Sequence, residues 1–281
     1  MKLEQKLNKL TIGVFIIGIL ICVYILNSNK LEAVSYRAIG SIETIGFQKL
    51  DNNKVKKKVK FAMVDSIPNL EIANVNVYRY KDYTNIETDK ATHSDEMINI
   101  LRSIDSSVEI DVYAVTDELG NIDNNLLIKA LSDIRNKNYD VINMSFYTRK
   151  DDEISKYIND IYNNGALVVA SAGNAGNWEV SYPSSLDSVI CIGGVTSSGD
   201  LWQDSNRGGI DYVMPVSFYS ELTSKMIQGT SISSILFSAL AIRQLEINPN
   251  LNKIDLIRAL TDISVNPKEK AILGKGQPCL I

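Results

Sequence analysis

The sequence predicts an α/β domain built on a doubly wound, mostly parallel sheet with helices on both faces. Near-continuous apolar runs rich in Val and Ile occur at 59–65, 110–115, 140–145, 166–171, 188–194 and 211–214. Such runs are the length of single strands and suit strands covered on both faces. Between and after them, helical patterns fall at 93–104, 123–137, 151–164, 231–246 and 253–263. Strand alternating with helix is the signature of a parallel sheet joined by crossovers.

The N-terminus differs in kind from the rest. Leu10 to Leu26 is almost wholly apolar, and no charge occurs between Lys9 and Lys30. That length is short for a membrane span and long for a signal-peptide core. Lys2, Lys6 and Lys9 precede it, which favours a cytoplasmic N-terminus and an exported remainder. Asn27-Ser28-Asn29-Lys30 lacks small-residue cleavage chemistry, and Leu20-Ile21 lacks the small residue expected before a lipoprotein Cys22. Residues 1–29 are therefore expected to be an uncleaved signal anchor, a single-pass transmembrane helix placing the folded domain outside the cell membrane. A soluble cytoplasmic protein is the competing reading. Residues 30–58 follow as a polar linker and 59–281 as the folded domain.

Each core element carries its own signal. Phe61-Ala62-Met63-Val64 is an apolar run that ends in Asp65. In 93–104, Met97, Ile100, Leu101 and Ile104 recur at helical spacing, with Asp95 and Glu96 set to complement the helix dipole. Ser188-Val189-Ile190-Cys191-Ile192 reads as a buried strand. The helix from Ser231 carries Ile232, Ile235, Leu236, Phe237, Ala239, Leu240 and Ile242, apolar almost all round as a central buried helix should be.

Composition narrows the function. The 281 residues are 45% apolar, which excludes disorder, and a net charge of −4 gives no footprint for nucleic acid. The cluster Lys54, Lys56, Lys57, Lys58 and Lys60 reads as a solvated lead-in to the first strand. Three cysteines make no disulfide framework. Cys191 reads as a small core residue, although a Cys191–Cys279 bridge stays open for a domain in an oxidising space. With one histidine there is no Cys/His metal cluster, so no metal site and no cofactor are expected.

That histidine, His93, falls between Asp65 and Ser231, the order acid, imidazole, hydroxyl. Ser231 follows Gly229-Thr230 at a helix start, where backbone N–H groups are free. Alone, Gly-Thr-Ser is only a helix cap. Ala170-Ser171-Ala172-Gly173-Asn174 ends a strand in a glycine turn bearing an amide. Asp65 and Asn174 sit at strand C-termini, His93 and Ser231 at helix N-termini. All four can thus converge beyond the carboxyl edge of the sheet. In that constellation Ser231 is the nucleophile, His93 the general base, Asp65 its orienting acid and Asn174 an oxyanion donor.

From Phe61 to about Gly276 the chain resembles the subtilisin-like serine peptidases. Phe61–Ser66 resembles their aspartate motif and Asp140–Ser145 the strand leading to the substrate cleft. Ala170–Asn174 resembles the oxyanion-asparagine motif, Tyr182-Pro183 a family turn and Gly229-Thr230-Ser231 the serine motif. The resemblance implies a subtilisin-like fold and a serine endopeptidase acting on a peptide or protein. It also implies substrate contacts at Ser145, Phe146 and Tyr147, and a specificity pocket walled by Ser171, Ala172 and Gly173. The family's calcium sites are not carried over, because no matching ligand run occurs.

Departures from the pattern favour a selective processing enzyme. Ser94-Asp95 replaces the Gly-Thr that usually follows the histidine, and Ile235 stands where proline is usual. Phe146-Tyr147-Thr148 replaces Leu-Gly-Gly, and Tyr147 is expected to narrow the cleft. The linker is shorter than the folding prodomain common in secreted members, so a different maturation route is expected. A catalytically silent peptide-binding scaffold is the rival reading.

Overall fold

The computed structural model describes residues 45–47, 55–69, 75–80, 91–265 and 270–280. The expected signal anchor at 1–29 and most of the 30–58 linker lie outside the described residues. Among the described residues no helix is long and apolar enough to cross a membrane.

Seven strands form the main sheet: β1 (Phe61–Asp65), β2 (Val75–Arg79), β3 (Ile110–Ala114), β4 (Val141–Met144), β5 (Leu167–Ser171), β6 (Ile190–Val195) and β7 (Tyr212–Pro215). Their order is β2-β3-β1-β4-β5-β6-β7, and every pairing is parallel. Among the described residues five helices of ten or more residues cover or flank it: α1 (His93–Ile104), α2 (Asn124–Ile134), α3 (Asp152–Asn163), α4 (Thr230–Ile247) and α5 (Lys253–Asp262).

The alternation of each strand divides the core. Phe61 and Met63 of β1 pack with α1 and α4 on one face. Ala62 and Val64 point the other way, to α2 and α3. Both faces are dry, which is why the strands read as continuous apolar runs. At roughly 1.5–3 kcal/mol for each large apolar side chain removed from water, these two layers hold the fold. Helix α4 is buried on nearly every side because it packs on α1, α5 and strands β4 to β7.

The structure adds elements the sequence did not predict. Strand β2 is a half-exposed edge strand, steadied where Tyr78 stacks on Tyr113 with ring centroids 4.5 Å apart. A hairpin, β8 (Ser217–Ser220) with β9 (Lys225–Gln228), leads into α4. A two-residue pair, β10 (Ser264–Val265) with β11 (Gln277–Pro278), lies near the C-terminus. Cys191 and Cys279 are both free and buried, so the bridge between them is not formed.

Candidate active site

Asp65 is the last residue of β1 and only 3% exposed. A buried carboxylate needs donors. The N–H of Ser66 donates to Oδ1 at 2.6 Å, and His93 Nδ1 lies 2.8 and 2.9 Å from the two carboxylate oxygens. The carboxylate only accepts, so Nδ1 carries the proton and Nε2 is left as an acceptor. Partial withdrawal of the ring from water works against the imidazolium, although 43% of the side chain stays exposed. The Asp65 charge, its hydrogen bond and the Glu96 charge outweigh that and leave the His93 pKa above its ordinary value.

His93 is placed by the cap of α1. Thr92 and Asp95 form a capping box, with the Thr92 N–H donating to Asp95 Oδ2 at 2.8 Å, so the helix begins at His93. Ser94, which stands where the resembling family carries glycine, clamps this turn to the end of β1. Its N–H donates to Ser66 Oγ at 3.1 Å, and its hydroxyl donates to the Ser66 carbonyl.

Ser231 occupies the first turn of α4, and its N–H is among the donors without an intrahelical acceptor. Its hydroxyl donates to the Ser145 carbonyl at 2.9 Å and makes no hydrogen bond to His93. Beneath it runs a ladder of small polar groups. Ser234 Oγ donates to the Ser231 carbonyl at 2.9 Å, Ser145 Oγ lies 2.8 Å from Ser234 Oγ, and Asn143 Nδ2 donates to Ser238 Oγ at 3.1 Å. The ladder ties α4 to the end of β4.

Asn174 is fixed by Thr230, a residue the sequence motifs contained but whose role they did not reveal. The Thr230 N–H and hydroxyl both donate to Asn174 Oδ1, at 2.9 and 2.7 Å. With the amide oxygen committed, Nδ2 is the end of Asn174 left to donate outward. Thr230 Oγ1 also accepts the Gly173 N–H at 3.2 Å. Gly173 itself has φ +104, and a Cβ there would stand 2.3 Å from Ser181 Oγ. From below, Asn206 accepts from the N–H groups of Ala175 and Asn177 at 3.2 and 3.0 Å and donates to the Ala172 carbonyl at 3.1 Å.

Asp65, His93, Asn174 and Ser231 line one cleft of about 800 Å³. Ser145, Phe146, Tyr147, Ser171 and Gly173 line it too. Ala172 does not: its side chain is fully buried with Cys191, Val195 and Val213. Alternation along a strand end explains this, because neighbours of a residue facing the cleft face the core. Tyr147 is 73% exposed at the cleft. The cleft is also lined by residues of the loop from Thr116 to Asp123 and by Asn124 and Asn125 at the start of α2, a stretch that had no motif to mark it. Asp117 shapes that loop by accepting from the N–H groups of Leu119 and Asn121 at 2.9 and 2.8 Å. Among the described residues no group of three or more His, Cys, Asp or Glu side chains could hold a metal ion.

The chain is similar to known proteins in sequence and in fold. The family model described as the Subtilase family matches residues 90–275. Minor extracellular protease Epr of Bacillus subtilis (strain 168) is 28% identical over 165 residues, 54% of this chain and 26% of that protein. Subtilisin DY of Bacillus licheniformis is 31% identical over 147 residues, 49% of this chain and 54% of that protein. The match thus spans between about a quarter and about half the length of these relatives. Among solved structures, a lanthipeptide protease aligns with TM-score 0.69 and 21% identity over 88% of this chain and 92% of its own. The psychrophilic subtilisin-like protease Apa1 from the Antarctic psychrotroph Pseudoalteromonas sp. AS-11 aligns with TM-score 0.72 and 13% identity, covering 84% and 94%. At these identities the structural likeness concerns the fold.

Proposed function

The chain belongs to the subtilase family, and on that premise we propose that it is a serine endopeptidase that processes a narrow set of peptides or proteins. Ser231 attacks the scissile carbonyl, His93 takes its proton and returns it to the leaving amine, and Asp65 holds the imidazole and offsets its positive charge. The Asn174 amide and the Ser231 N–H donate to the oxyanion as it forms. An acyl-enzyme at Ser231 is then hydrolysed by water activated at His93.

One observation carries the proposal: His93 Nδ1 meets both oxygens of the buried Asp65 while its ring lines the same cleft as Ser231 and Asn174. Proton transfer requires the Ser231 hydroxyl to leave the Ser145 carbonyl and turn towards Nε2 by rotation about χ1. The narrow substrate range is supported by Tyr147, an aromatic ring on the wall where a peptide would lie. Anchoring outside the cell membrane through residues 1–29 is part of the same proposal and rests on the apolar run from Leu10 to Leu26.

The second reading, a silent peptide-binding scaffold, is favoured by the Ser231 hydroxyl being bound to Ser145. A fluorophosphonate probe separates the two. Labelling of the wild-type chain that disappears in Ser231→Ala supports the enzyme. A folded wild-type chain that stays unlabelled supports the scaffold.

A further inference from the structure

Glu96 is a buried carboxylate that this chemistry leaves unused. It lies on α1 three residues after His93 and is 8% exposed. Burying it is costly unless its oxygens are bonded, and its partners come from a distant element. Ser220 Oγ donates to Oε2 at 2.5 Å, Thr223 Oγ1 donates to Oε1 at 3.1 Å, and the Thr223 N–H donates to Ser220 Oγ at 3.2 Å. Ser220 closes β8, and Thr223 lies in the turn before β9. Strand β9 ends at Gln228, and Ser231 follows three residues later.

The base of this hairpin is held by other means. Phe218 and Ile227 pack on the core, and the Gly229 N–H donates to the Val216 carbonyl at 3.0 Å. Its tip is otherwise open, with Glu221, Leu222 and Ser224 exposed. The carboxylate of Glu96 therefore joins the helix that presents His93 to the segment that delivers Ser231.

We propose that Glu96 is a positioning residue for the triad: it holds the hairpin tip against α1, fixing Ser231 relative to His93, and keeps a second negative charge near the imidazole. A neutral hydrogen-bonding group would serve the first purpose but not the second. The imidazolium that forms when Ser231 loses its proton is favoured by both Asp65 and Glu96. The other charged groups around the ring are differently occupied. Asp95 caps α1, while Asp117 and Asp123, which line the same cleft, accept backbone N–H groups. Arg149 lines the cleft with an exposed side chain, and Glu221 and Lys225 on the hairpin are also exposed.

The proposal rests on the triad reading, and the experiment separates the two. His93 is the sole histidine, so the full chain with ¹⁵N-labelled histidine reports one imidazole whether or not it turns over substrate. Glu96→Gln keeps the shape and can still bond both hydroxyls, which donate and accept, but it lacks the charge. Its imidazole midpoint is expected at lower pH than in the wild type, with the acid limb of fluorophosphonate labelling moving in the same direction. Ser220→Ala combined with Thr223→Val keeps the charge and cuts the tie. Labelling of that variant should slow about tenfold or more, the scale of a small misplacement of reacting groups, while its imidazole midpoint stays raised. An unchanged midpoint in Glu96→Gln, or wild-type labelling in the double variant, overturns the proposal. A wild-type chain that is not labelled at all rejects the triad reading instead, and the imidazole titration still decides the electrostatic role of Glu96.

Discussion

Thr230 grips Asn174 twice, through its backbone N–H at 2.9 Å and its hydroxyl at 2.7 Å, both directed at the amide oxygen. The same hydroxyl accepts the N–H of Gly173. The residue before the proposed nucleophile thus sets the orientation of the proposed oxyanion donor and ties the two halves of the site together.

Thr230→Val removes the hydroxyl at nearly constant volume in a fully buried position. It leaves the Gly173 N–H without its acceptor and Asn174 with one restraint. A stability loss of about 1–3 kcal/mol is expected in urea unfolding. The labelling rate should fall with it, and Thr230→Ser should restore most of both. Asn174→Ala tests the donor itself. If Nδ2 meets the oxyanion, kcat should drop on the order of 10²–10³ with little change in KM.

How much of this was legible in the sequence depends on how strongly each residue's context is set locally. The buried strands announced themselves because both faces are dry, and β1 ends at Asp65 as its apolar run does. Edge strand β2 and hairpin β8–β9 stayed hidden because their half-exposed residues mix polar and apolar types without a clear period. The four proposed catalytic residues could be picked from order and context. The roles of Thr230, Asn206 and Ser94 could not, since each acts through a partner distant in sequence or a hydroxyl whose direction only the fold sets. Ala172 shows the converse: a motif placed it at the pocket wall, and strand alternation turned its side chain to the core.

The His93–Asp65 pair should make the proposed activity and the stability depend on pH in opposite directions. A base must be neutral to accept a proton, so kcat/KM should rise with pH through a midpoint above 6.5, the ordinary histidine value. Stability follows the other sign. The folded-state pKa is raised above the unfolded one, so the pair's contribution is fully present below about 6.5. It is lost as pH rises through the folded midpoint. Urea midpoints measured across that window should decline for the wild type relative to His93→Gln, and parallel curves for the two would remove the pair as the cause.

Cys191 and Cys279 should be inert in the native protein. Both are buried, and burial raises both thiols, that of Cys191 to about 12, far from the thiolate that reacts. In a Cys22→Ser background, an aromatic disulfide reagent at pH 8 should titrate no thiol until denaturant is added, and then two. A native thiol count of one or more would contradict the packing around β6 or β11.

Tyr147 offers a direct test of the proposed selectivity. Its ring is 73% exposed, so the folded state gains little from it, and Tyr147→Gly should change stability by no more than the added backbone freedom of glycine, about 0.5–1 kcal/mol. Its effect on cleavage should be larger. If the ring limits which side chains enter beside Ser145, removing it should broaden the profile of a peptide library at the position preceding the cut, with bulky residues gaining most. A single methylene's worth of room in an apolar pocket changes preference by about 10–200-fold, so loss of a whole ring is measurable against that scale. Tyr147→Phe should keep the wild-type profile, because the restriction comes from the ring's bulk. A profile that narrows further in Tyr147→Gly would instead make the ring a contact that substrates bind.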